Sequence, residues 1–335
     1  MDGRAPILNG ADLSSGQFEL TEDQRAIQAM AEAYAADRVA PDALAWDRNR
    51  HFPQDVIRET GPLGFGGIYV RDDVGGAGLG RLEAVLVFEA LARACPAFSA
   101  FISIHNMTAW MVDRYGSEAQ RRTFAPKLTS MEWLGSYCLT EPGSGSDAAA
   151  LKTRAVRDGD HYVLDGTKQF ISGAGDSDIY IVMVRTGAEG PKGISTFIVP
   201  KDAPGLSFGA LENKMGWHMQ STRQVILAGC RVPAENLLSA EGDGFRIAMA
   251  GLDGGRLNIA ACSLGGAQAA LDKALSYTAE RKAFGRKISE FQALQFKLAD
   301  METELQAARV FLYAAASKLD ARASDAGKWS AMAKR

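Results

Sequence analysis

The stretch YCLTEPGSGSD, residues 137–147, decides the fold, because short strand-like runs replace helical patterns close to it. It consists of a short apolar run followed by a turn rich in glycine and serine. Free backbone N–H groups in such a turn, together with its hydroxyls, are suited to cradle a pyrophosphate or a flavin ring. On local chemistry alone, an ordinary polar loop with a Pro-Gly turn is the alternative, since such turns are common.

Upstream of this stretch the sequence is helical in pattern. Thr21 and Gln24 form a capping box ahead of an apolar periodicity that ends near Pro41. Further helical patterns, separated by turns with glycine or proline, follow Pro53, Arg81, Pro96 and Ser117. We therefore predict an N-terminal all-helical domain over residues 1–133.

Downstream the pattern is that of strands. The β-favouring runs are HYVL (161–164), IYIVMV (179–184), ISTFIVP (194–200) and QVILAGCRVP (224–233). The pairs Asp158-Gly159 and Asp165-Gly166 are predicted to be hairpin turns between antiparallel strands. Residues 134–243 are thus expected to form a central antiparallel β domain, a barrel or a sandwich.

Helical periodicity then returns to the end of the chain. Two long patterns run from Arg256 to about Arg281 and from Ser289 to about Leu319, and a third opens near Asp325. Residues 244–335 are predicted to form a C-terminal helical bundle, which completes an α+β multidomain fold. Because a four-helix core needs further apolar faces, we expect this bundle to be incomplete and the chain to be truncated at Arg335.

Composition excludes several classes of function. The chain has 335 residues, 47 % of them hydrophobic and 23 % charged, and a formal net charge of −3, so no broad cationic field favours nucleic acid. No metal site is predicted, because His51, His105, His161 and His218 lie far apart and no Cys/His spacing matches zinc. The segment GGAGLG at 75–80 lacks dinucleotide-binding spacing and is predicted to be a loop.

The cysteines and the N-terminus bear on the compartment. Cys95, Cys138, Cys230 and Cys262 are scattered, which is typical of free thiols in a reducing compartment. No run of 18 apolar residues is present, and the N-terminus, with Asp2, Arg4 and Asp12, lacks the layout of a signal peptide. We expect a protein of the cytoplasm, or of the mitochondrial matrix in a eukaryote, with no membrane partner.

Three segments together carry a family resemblance. The stretch at 137–147 closely resembles the signature of acyl-CoA dehydrogenases, and KQFISG (168–173) and RKAFG (281–285) resemble that family's second and third flavin segments in order and spacing. The similarity runs from about residue 20 to Arg335. It implies the acyl-CoA dehydrogenase fold, FAD as cofactor, an acyl-CoA substrate, an electron-transferring flavoprotein as acceptor and a homotetramer.

Other segments narrow the resemblance to the branch of the family that oxidises isobutyryl-CoA in valine breakdown. They are FGGIYV (65–70), ISIHNM (102–107), ISGAGDSDIYIV (171–182), PKGIS (191–195) and GGRLNIAACSLG (254–265). A short branched-chain acyl-CoA is the substrate class that this branch implies.

The resemblance also assigns cofactor residues. Those implied for the FAD of the same subunit are Tyr137, Leu139, Thr140, Gly145, Ser146, Phe170, Ile171 and Ser172, with Phe170 where many relatives place a tryptophan. Those implied to reach the FAD of a neighbouring subunit are Arg281, Phe284, Ile288, Phe291 and Gln292. Without the resemblance, Arg281 and Lys282 are predicted to lie in a solvated helix end, where cations complement the helix dipole.

The segment LDGGR, residues 252–256, is implied to flank the substrate. Leu252, Asp253, Gly255 and Arg256, with Ser146, are the residues assigned to acyl-CoA. On spacing alone, Asp253 and Arg256 are equally an N-terminal cap and a helix-face charge at the start of a helix.

The implied reaction removes a proton from the carbon α to the thioester and a hydride from the β carbon. A carboxylate must take the proton. Some relatives carry that glutamate at the position of Gly255; in the others it lies in a Glu-Gly segment after a Gly-Gly-Tyr-Gly loop, expected here beyond Arg335. No catalytic residue is therefore assigned, and the 335-residue chain is expected to be inactive.

Two alternatives remain open on the sequence. One is a non-catalytic homologue that binds FAD and acyl-CoA as a partner or scaffold. The other is a flavin-dependent acyl-CoA oxidase or monooxygenase on the same scaffold. Oxygen uptake with acyl-CoA distinguishes the second from a dehydrogenase.

Overall fold

The computed structural model describes residues 19–335, and Asp2, Arg4 and Asp12 lie outside the described residues. Helices come first, a β-sheet follows, and helices return, so the predicted fold class is confirmed. Within residues 19–335, no helix combines the length and the apolar character needed to cross a membrane.

Six α-helices precede the sheet in the part of the chain that begins at residue 19. They are α1 (Glu22–Tyr34), α2 (Ala43–Asn49), α3 (Gln54–Arg58), α4 (Arg81–Ala94), α5 (Pro96–Tyr115) and α6 (Glu118–Thr129). The predicted capping box starts α1, where the Gln24 amide donates to Thr21 Oγ1 over 3.2 Å and the Thr21 amide to Gln24 Oε1 over 3.0 Å. A π-helical turn, Ala35–Val39, continues α1 and places Val39 in the core.

Among the described residues, eight strands form one sheet. They are β1 (Gly135–Cys138), β2 (Arg154–Asp158), β3 (His161–Ser172), β4 (Ile179–Arg185), β5 (Ile194–Pro200), β6 (Leu206–Phe208), β7 (Thr222–Pro233) and β8 (Leu237–Leu238). Their order is β6-β7-β3-β2-β4-β5-β8, and β1 pairs with β4. Most pairs are antiparallel, as predicted, but β1 runs parallel to β4, and β2 meets β4 in parallel at Arg154.

One of the two predicted hairpin turns is wrong. Asp158 and Gly159 do connect β2 to β3, but Asp165 and Gly166 lie inside β3, where the register with β7 shifts. Gly166 has φ +148° and packs so closely on Thr153 that a Cβ there would lie 2.4 Å from Thr153 Oγ1. Asp165 and Gly166 therefore form a β-bulge, which, like a tight turn, favours glycine because the backbone has a positive φ.

The C-terminal part is formed by α7 (Gly244–Glu280), a short hairpin of β9 (Lys282–Ala283) and β10 (Arg286–Lys287), α8 (Gln292–Asp320) and α9 (Ala326–Lys334). Because α7 begins at Gly244, the placement of Asp253 at a helix start is wrong. Glycines inside α7 interrupt the helical spacing of apolar residues from which the start of a helix is predicted. Gly254 is one of them, and a Cβ there would lie 2.3 Å from Arg81 Nη1.

Helix α5 links the helical part to the sheet. His105, fully buried on α5, bonds through Nε2 to the Leu128 carbonyl oxygen over 2.9 Å and accepts the Gly135 amide at Nδ1 over 3.1 Å. Both bonds require the neutral Nε2–H tautomer, in which one nitrogen donates and the other accepts. His105 thus fixes the start of β1 and is a packed core histidine.

We predict that His105 makes the fold sensitive to mild acid. Burial lowers the pKa of His105 to about 4, below the value of about 6.5 for an unfolded histidine. The unfolded chain therefore takes up a proton first as pH falls from 6.5 towards 4, and stability is lost in that window. At pH 5 this group should make the free energy of unfolding about 2 kcal/mol lower than at pH 7.

Urea denaturation at both pH values measures this difference. His105→Gln should reduce it by about that amount, because the titrating ring is gone, whereas His51→Gln, at an exposed residue after α2, should leave it in place. An equal pH dependence in His105→Gln and the wild type would contradict the account.

Candidate functional site

A cavity of about 130 Å³ lies where β1 ends. Its walls come from the end of β1, from β3 and from α5: Tyr137, Leu139, Thr140, Phe170, Ile171, Ser172 and Ile104. Six of the residues that sequence reasoning assigned to a flavin thus meet in one place, and Ile104 was not foreseen. The walls are largely apolar, and the hydroxyls of Thr140 and Ser172 make no hydrogen bond to other residues of the described part of the chain.

A second irregularity in β3 shapes this cavity. The register with β7 shifts between Lys168 and Ile171, and Phe170 takes φ +59°. A positive φ is costly for an aromatic residue and signals a functional constraint. The bulge leaves the Phe170 side chain 63 % exposed beside the cavity. An apolar ring is thereby presented at the edge of the site.

A buried ion pair, which no sequence pattern predicts, holds the two walls together. Lys168 Nζ donates to Glu141 Oε1 over 2.7 Å and to the Leu139 carbonyl oxygen over 3.1 Å. The Lys168 side chain is completely buried. Since Leu139 and Glu141 flank Thr140, the ammonium group fixes the backbone on both sides of that residue.

Backbone groups complete the pair. The amides of Lys152 and Thr153 donate to the Glu141 carboxylate over 2.7 and 3.0 Å. Burial alone would raise the pKa of Glu141, but the Lys168 ammonium and these donors outweigh burial, and the pKa lies below its ordinary value. Burial lowers the pKa of Lys168 and Glu141 opposes that shift, so the arrangement favours the charged pair.

The turn after Glu141 forms the open rim of the site. Glu141 and Ser144 are bridged, and Ser144 Oγ donates to the Asp147 carbonyl oxygen over 2.7 Å. Gly145 and Ser146 are exposed beyond this bridge, and a Cβ at Gly145 would meet no atom within 4 Å. These two predicted residues therefore border open space outside the cavity walls.

The third predicted segment stands apart from the cavity. It runs from the end of α7 through the β9–β10 hairpin and a short 3-10 turn to the start of α8, and its predicted residues are Arg281, Phe284, Ile288, Phe291 and Gln292. None of them lines the cavity of this chain. Phe284 is 95 % exposed, and its ring packs edge-on against Phe291 at 6.2 Å. An exposed aromatic ring held in this way suits a contact outside the chain.

The LDGGR segment lies on α7, beside α5. Asp253 and Arg256 form an ion pair one turn apart, and Leu252 packs against the apolar cluster that contains Met107. A Cβ at Gly255 would lie 3.4 Å from Met107 Sδ. Since Ile104 and Met107 are one turn apart on α5, the cavity at the end of β1 and this segment border the same helix.

Neither a reactive cysteine thiolate nor a cluster of three metal-ligating side chains is present in residues 19–335. Burial raises the pKa of the Cys138 thiol above its ordinary value, which removes it as a thiolate nucleophile. All four cysteines are buried free thiols. Among residues 19–335, no cluster of three His, Cys, Asp or Glu side chains could hold a metal ion.

Three family models match successive parts of the chain. The acyl-CoA dehydrogenase N-terminal domain matches residues 21–132, the middle domain 136–230 and the C-terminal domain 242–335. The mitochondrial isobutyryl-CoA dehydrogenase of Dictyostelium discoideum is 57 % identical over 316 residues, covering 94 % of this chain and 76 % of the relative. The Bos taurus isobutyryl-CoA dehydrogenase is 50 % identical over 331 residues, covering 99 % and 79 %.

A solved structure shows the same fold. A chain in the structure of the electron transferring flavoprotein of Acidaminococcus fermentans superposes with a TM-score of 0.92 at 40 % identity. The match covers 94 % of this chain and 83 % of that one.

We predict that Lys168→Met destabilises the fold and weakens flavin retention. Removing one partner of a buried ion pair leaves the other charge unpaired, at a cost of about 3–5 kcal/mol. The free energy of unfolding in urea and the FAD content after gel filtration should both fall. Lys152→Met is the control, because the Lys152 side chain is exposed.

The double variant Lys168→Met/Glu141→Gln sharpens this test. It should recover part of the lost stability, because the unpaired carboxylate is gone. If Lys168→Met matches Lys152→Met in stability and FAD content, the pair does not organise the site.

Proposed function

Because this chain belongs to the acyl-CoA dehydrogenase family of flavin-dependent oxidoreductases, we propose that it oxidises a short branched-chain acyl-CoA, isobutyryl-CoA first, to the 2-enoyl-CoA. The observation that carries the proposal is the cavity in which Tyr137, Thr140, Phe170 and Ser172 meet, beside the α7 segment. Identity of 50–57 % to two isobutyryl-CoA dehydrogenases supports the acyl group, and with it a role in valine breakdown.

The residues of the cavity fit FAD. Leu139, Ile171 and the Phe170 ring offer apolar surface to a flat ring system, and Thr140 offers a hydroxyl to a ring nitrogen. Gly145 and Ser146 on the open rim suit the pyrophosphate, because a glycine lets backbone amides approach closely. When bound, FAD supplies the acceptor for the hydride from the β carbon.

The α7 segment is proposed to hold the CoA thioester. Asp253 and Arg256, each about one-third exposed, are available to the polar pantetheine and nucleotide, while Leu252 and Gly255 border the apolar path. Packing of the acyl group between α5 and α7 excludes water, which strengthens any hydrogen bond to the thioester oxygen and so acidifies the α proton.

The proton acceptor is not assigned to a described residue. Arg256 engages Asp253, and Lys168 with two amides engages Glu141. Neither carboxylate is therefore proposed as the base.

Partners follow from the same family. We propose that an electron-transferring flavoprotein takes the electrons, supported by the superposition on a chain in the Acidaminococcus structure. We also propose a homotetramer in which Arg281, Phe284, Ile288, Phe291 and Gln292 reach a neighbour's FAD, supported by the exposed Phe284 ring. The domains are proposed to be residues 1–133, 134–243 and 244–335, and the compartment the cytoplasm or the mitochondrial matrix; the two relatives are named as mitochondrial.

The substrate is tested by anaerobic mixing of the FAD-loaded 335-residue chain with isobutyryl-, 2-methylbutyryl-, butyryl- and isovaleryl-CoA. Isobutyryl-CoA should perturb the flavin spectrum at the lowest concentration, since one methylene is worth about 1–3 kcal/mol. Bleaching should be about 100- to 10,000-fold slower than with a positioned base. Mass spectrometry should detect the 2-enoyl-CoA after long incubation.

Variants separate the possible outcomes. Asp253→Asn should weaken ester binding without changing the slow bleaching rate, and Asp300→Asn on α8 is the control. If none of the four esters perturbs the flavin, the proposed function fails. Rapid bleaching that Asp253→Asn abolishes would make Asp253 the base and overturn its assignment. Oxygen uptake at the bleaching rate would identify an oxidase.

The shared cofactor site is tested with Phe284→Asp. A charge at this position should disrupt the subunit contact and raise the dissociation constant of FAD at least about tenfold, because buried aromatic anchors dominate interface energies. Met215→Asp, at an equally exposed apolar residue between β6 and β7, is the control. Sedimentation recorded at the flavin band measures both properties, and a monomer that retains FAD tightly would contradict the shared site.

A further inference from the structure

A second cavity, of about 460 Å³, contains a buried cation that the function proposed above does not use. The cation is Arg81, the first residue of α4, which is only 8 % exposed. Tyr69 and Trp110 sandwich its guanidinium, with the ring centroids 3.6 and 5.0 Å from Cζ. Gly254 of α7 closes a further side. Arg81 is therefore held in place by packing on several sides.

Within residues 19–335, the Arg81 guanidinium forms no salt bridge. Three carboxylates also line the cavity, but each is engaged elsewhere. Asp113 pairs with Arg71 over 3.0 Å, Asp253 pairs with Arg256, and Asp320 accepts the backbone amide of Arg81 over 2.8 Å. Asp320 thus caps α4 and leaves the guanidinium unpaired.

An arginine in this position needs an anion. Its guanidinium does not lose its proton in proteins, so it cannot escape the cost of burial by becoming neutral. Contacts with aromatic rings offset only part of the free-energy cost of burying a charge that has no ionic partner. The packing that holds Arg81 therefore prepares a site for a negative group.

A carboxylate fits this site better than a phosphate. The planar guanidinium matches a carboxylate with two parallel hydrogen bonds. Because Asp113, Asp253 and Asp320 already place negative charge around the cavity, a singly charged group meets less repulsion than a phosphate dianion. Arg114 and Arg322, both exposed at the cavity wall, make the approach favourable for an anion.

We propose that Arg81 is the receptor for a single carboxylate in the cavity between α4, α5 and α7. Helix α5 places this cavity next to the acyl path, since Trp110 lines it and Met107, one turn earlier, touches the Gly255 position. The carboxylate comes either from the far end of an acyl group or from a separate carboxylate that lies beside the thioester. The link to the acyl group rests on the proposed function, whereas the anion site does not.

Acetate is the probe for the anion site, with acetamide as its neutral isostere. Trp110 lies beside Arg81, so tryptophan fluorescence of the FAD-free chain at constant ionic strength reports binding. Acetate should give a saturable change with half-saturation on the order of millimolar, and acetamide none. Equal responses to the two probes, or no saturation with acetate, would overturn the proposal.

Variants locate the site. Arg81→Met should raise the half-saturation at least about tenfold, and Arg81→Lys, which keeps the charge, should raise it less. Arg154→Met, at an exposed residue of β2 outside this cavity, is the matched control and should change it less than about twofold. If Arg81→Met binds acetate like the wild type, Arg81 is not the receptor. If Arg81→Met does not fold, the comparison of acetate with acetamide and the Arg81→Lys variant still test whether Arg81 binds the carboxylate.

The source of the carboxylate is decided on the FAD-loaded chain with succinyl-CoA and butyryl-CoA, whose acyl chains have equal length. Binding of succinyl-CoA at least about tenfold tighter in the wild type, but not in Arg81→Met, assigns the carboxylate to the acyl group. Equal binding of both esters, with acetate still bound alongside butyryl-CoA, assigns it to a separate carboxylate. If neither ester perturbs the flavin, the proposed function fails while the acetate result stands.

Discussion

The buried pair of Lys168 and Glu141 is the interaction on which the candidate site depends. Strand β1 pairs with β4, and β3 pairs with β2 and β7, so no backbone ladder pairs β1 directly with β3. Ser136 Oγ on β1 donates to the Ser172 carbonyl oxygen at the end of β3 over 2.6 Å, and Lys168 adds a second, charged connection, because it bonds to the Leu139 carbonyl oxygen and to Glu141 at the same time. The Gln169 amide adds a bond to the Thr140 carbonyl oxygen over 2.8 Å. A charged pair with no access to water is rigid in geometry, and it fixes Thr140 and Phe170 relative to each other.

Helix α5 organises the rest of the molecule around this site. Along its successive turns, Ile104 lines the proposed flavin cavity, His105 binds the start of β1, Met107 packs on α7, and Trp110 lines the cavity of Arg81. One rigid element therefore sets the distance between the proposed flavin cavity, the α7 segment and the buried cation. Glycines in α7 allow that close approach, and Gly254 in particular leaves room for the Arg81 guanidinium.

The sequence predictions that the structure confirms depend on patterns among neighbouring residues. The Thr21 capping box, the strand before the turn at 141–147 and the Asp158-Gly159 hairpin depend on neighbouring residues, and the structure contains all three. Predictions failed where tertiary packing decides the outcome, as at Gly166, where glycine serves a bulge, and in α7, whose glycines obscure its first turns. The Lys168–Glu141 pair joins residues 27 apart, and the unpaired state of Arg81 depends on Asp320 binding the backbone of α4. Neither is visible in a pattern of residue types.

We propose that the ends of β1 and β3, held by the Lys168–Glu141 pair, form the flavin site of this chain. Hydrogen–deuterium exchange with and without FAD tests it most directly, because bound ligand protects the amides that it contacts. We expect FAD to slow exchange in residues 137–146 and 169–172 and to leave the loop at 75–80 unchanged. Protection at 75–80, or no protection at 137–146 in a chain that has taken up FAD, would contradict the account.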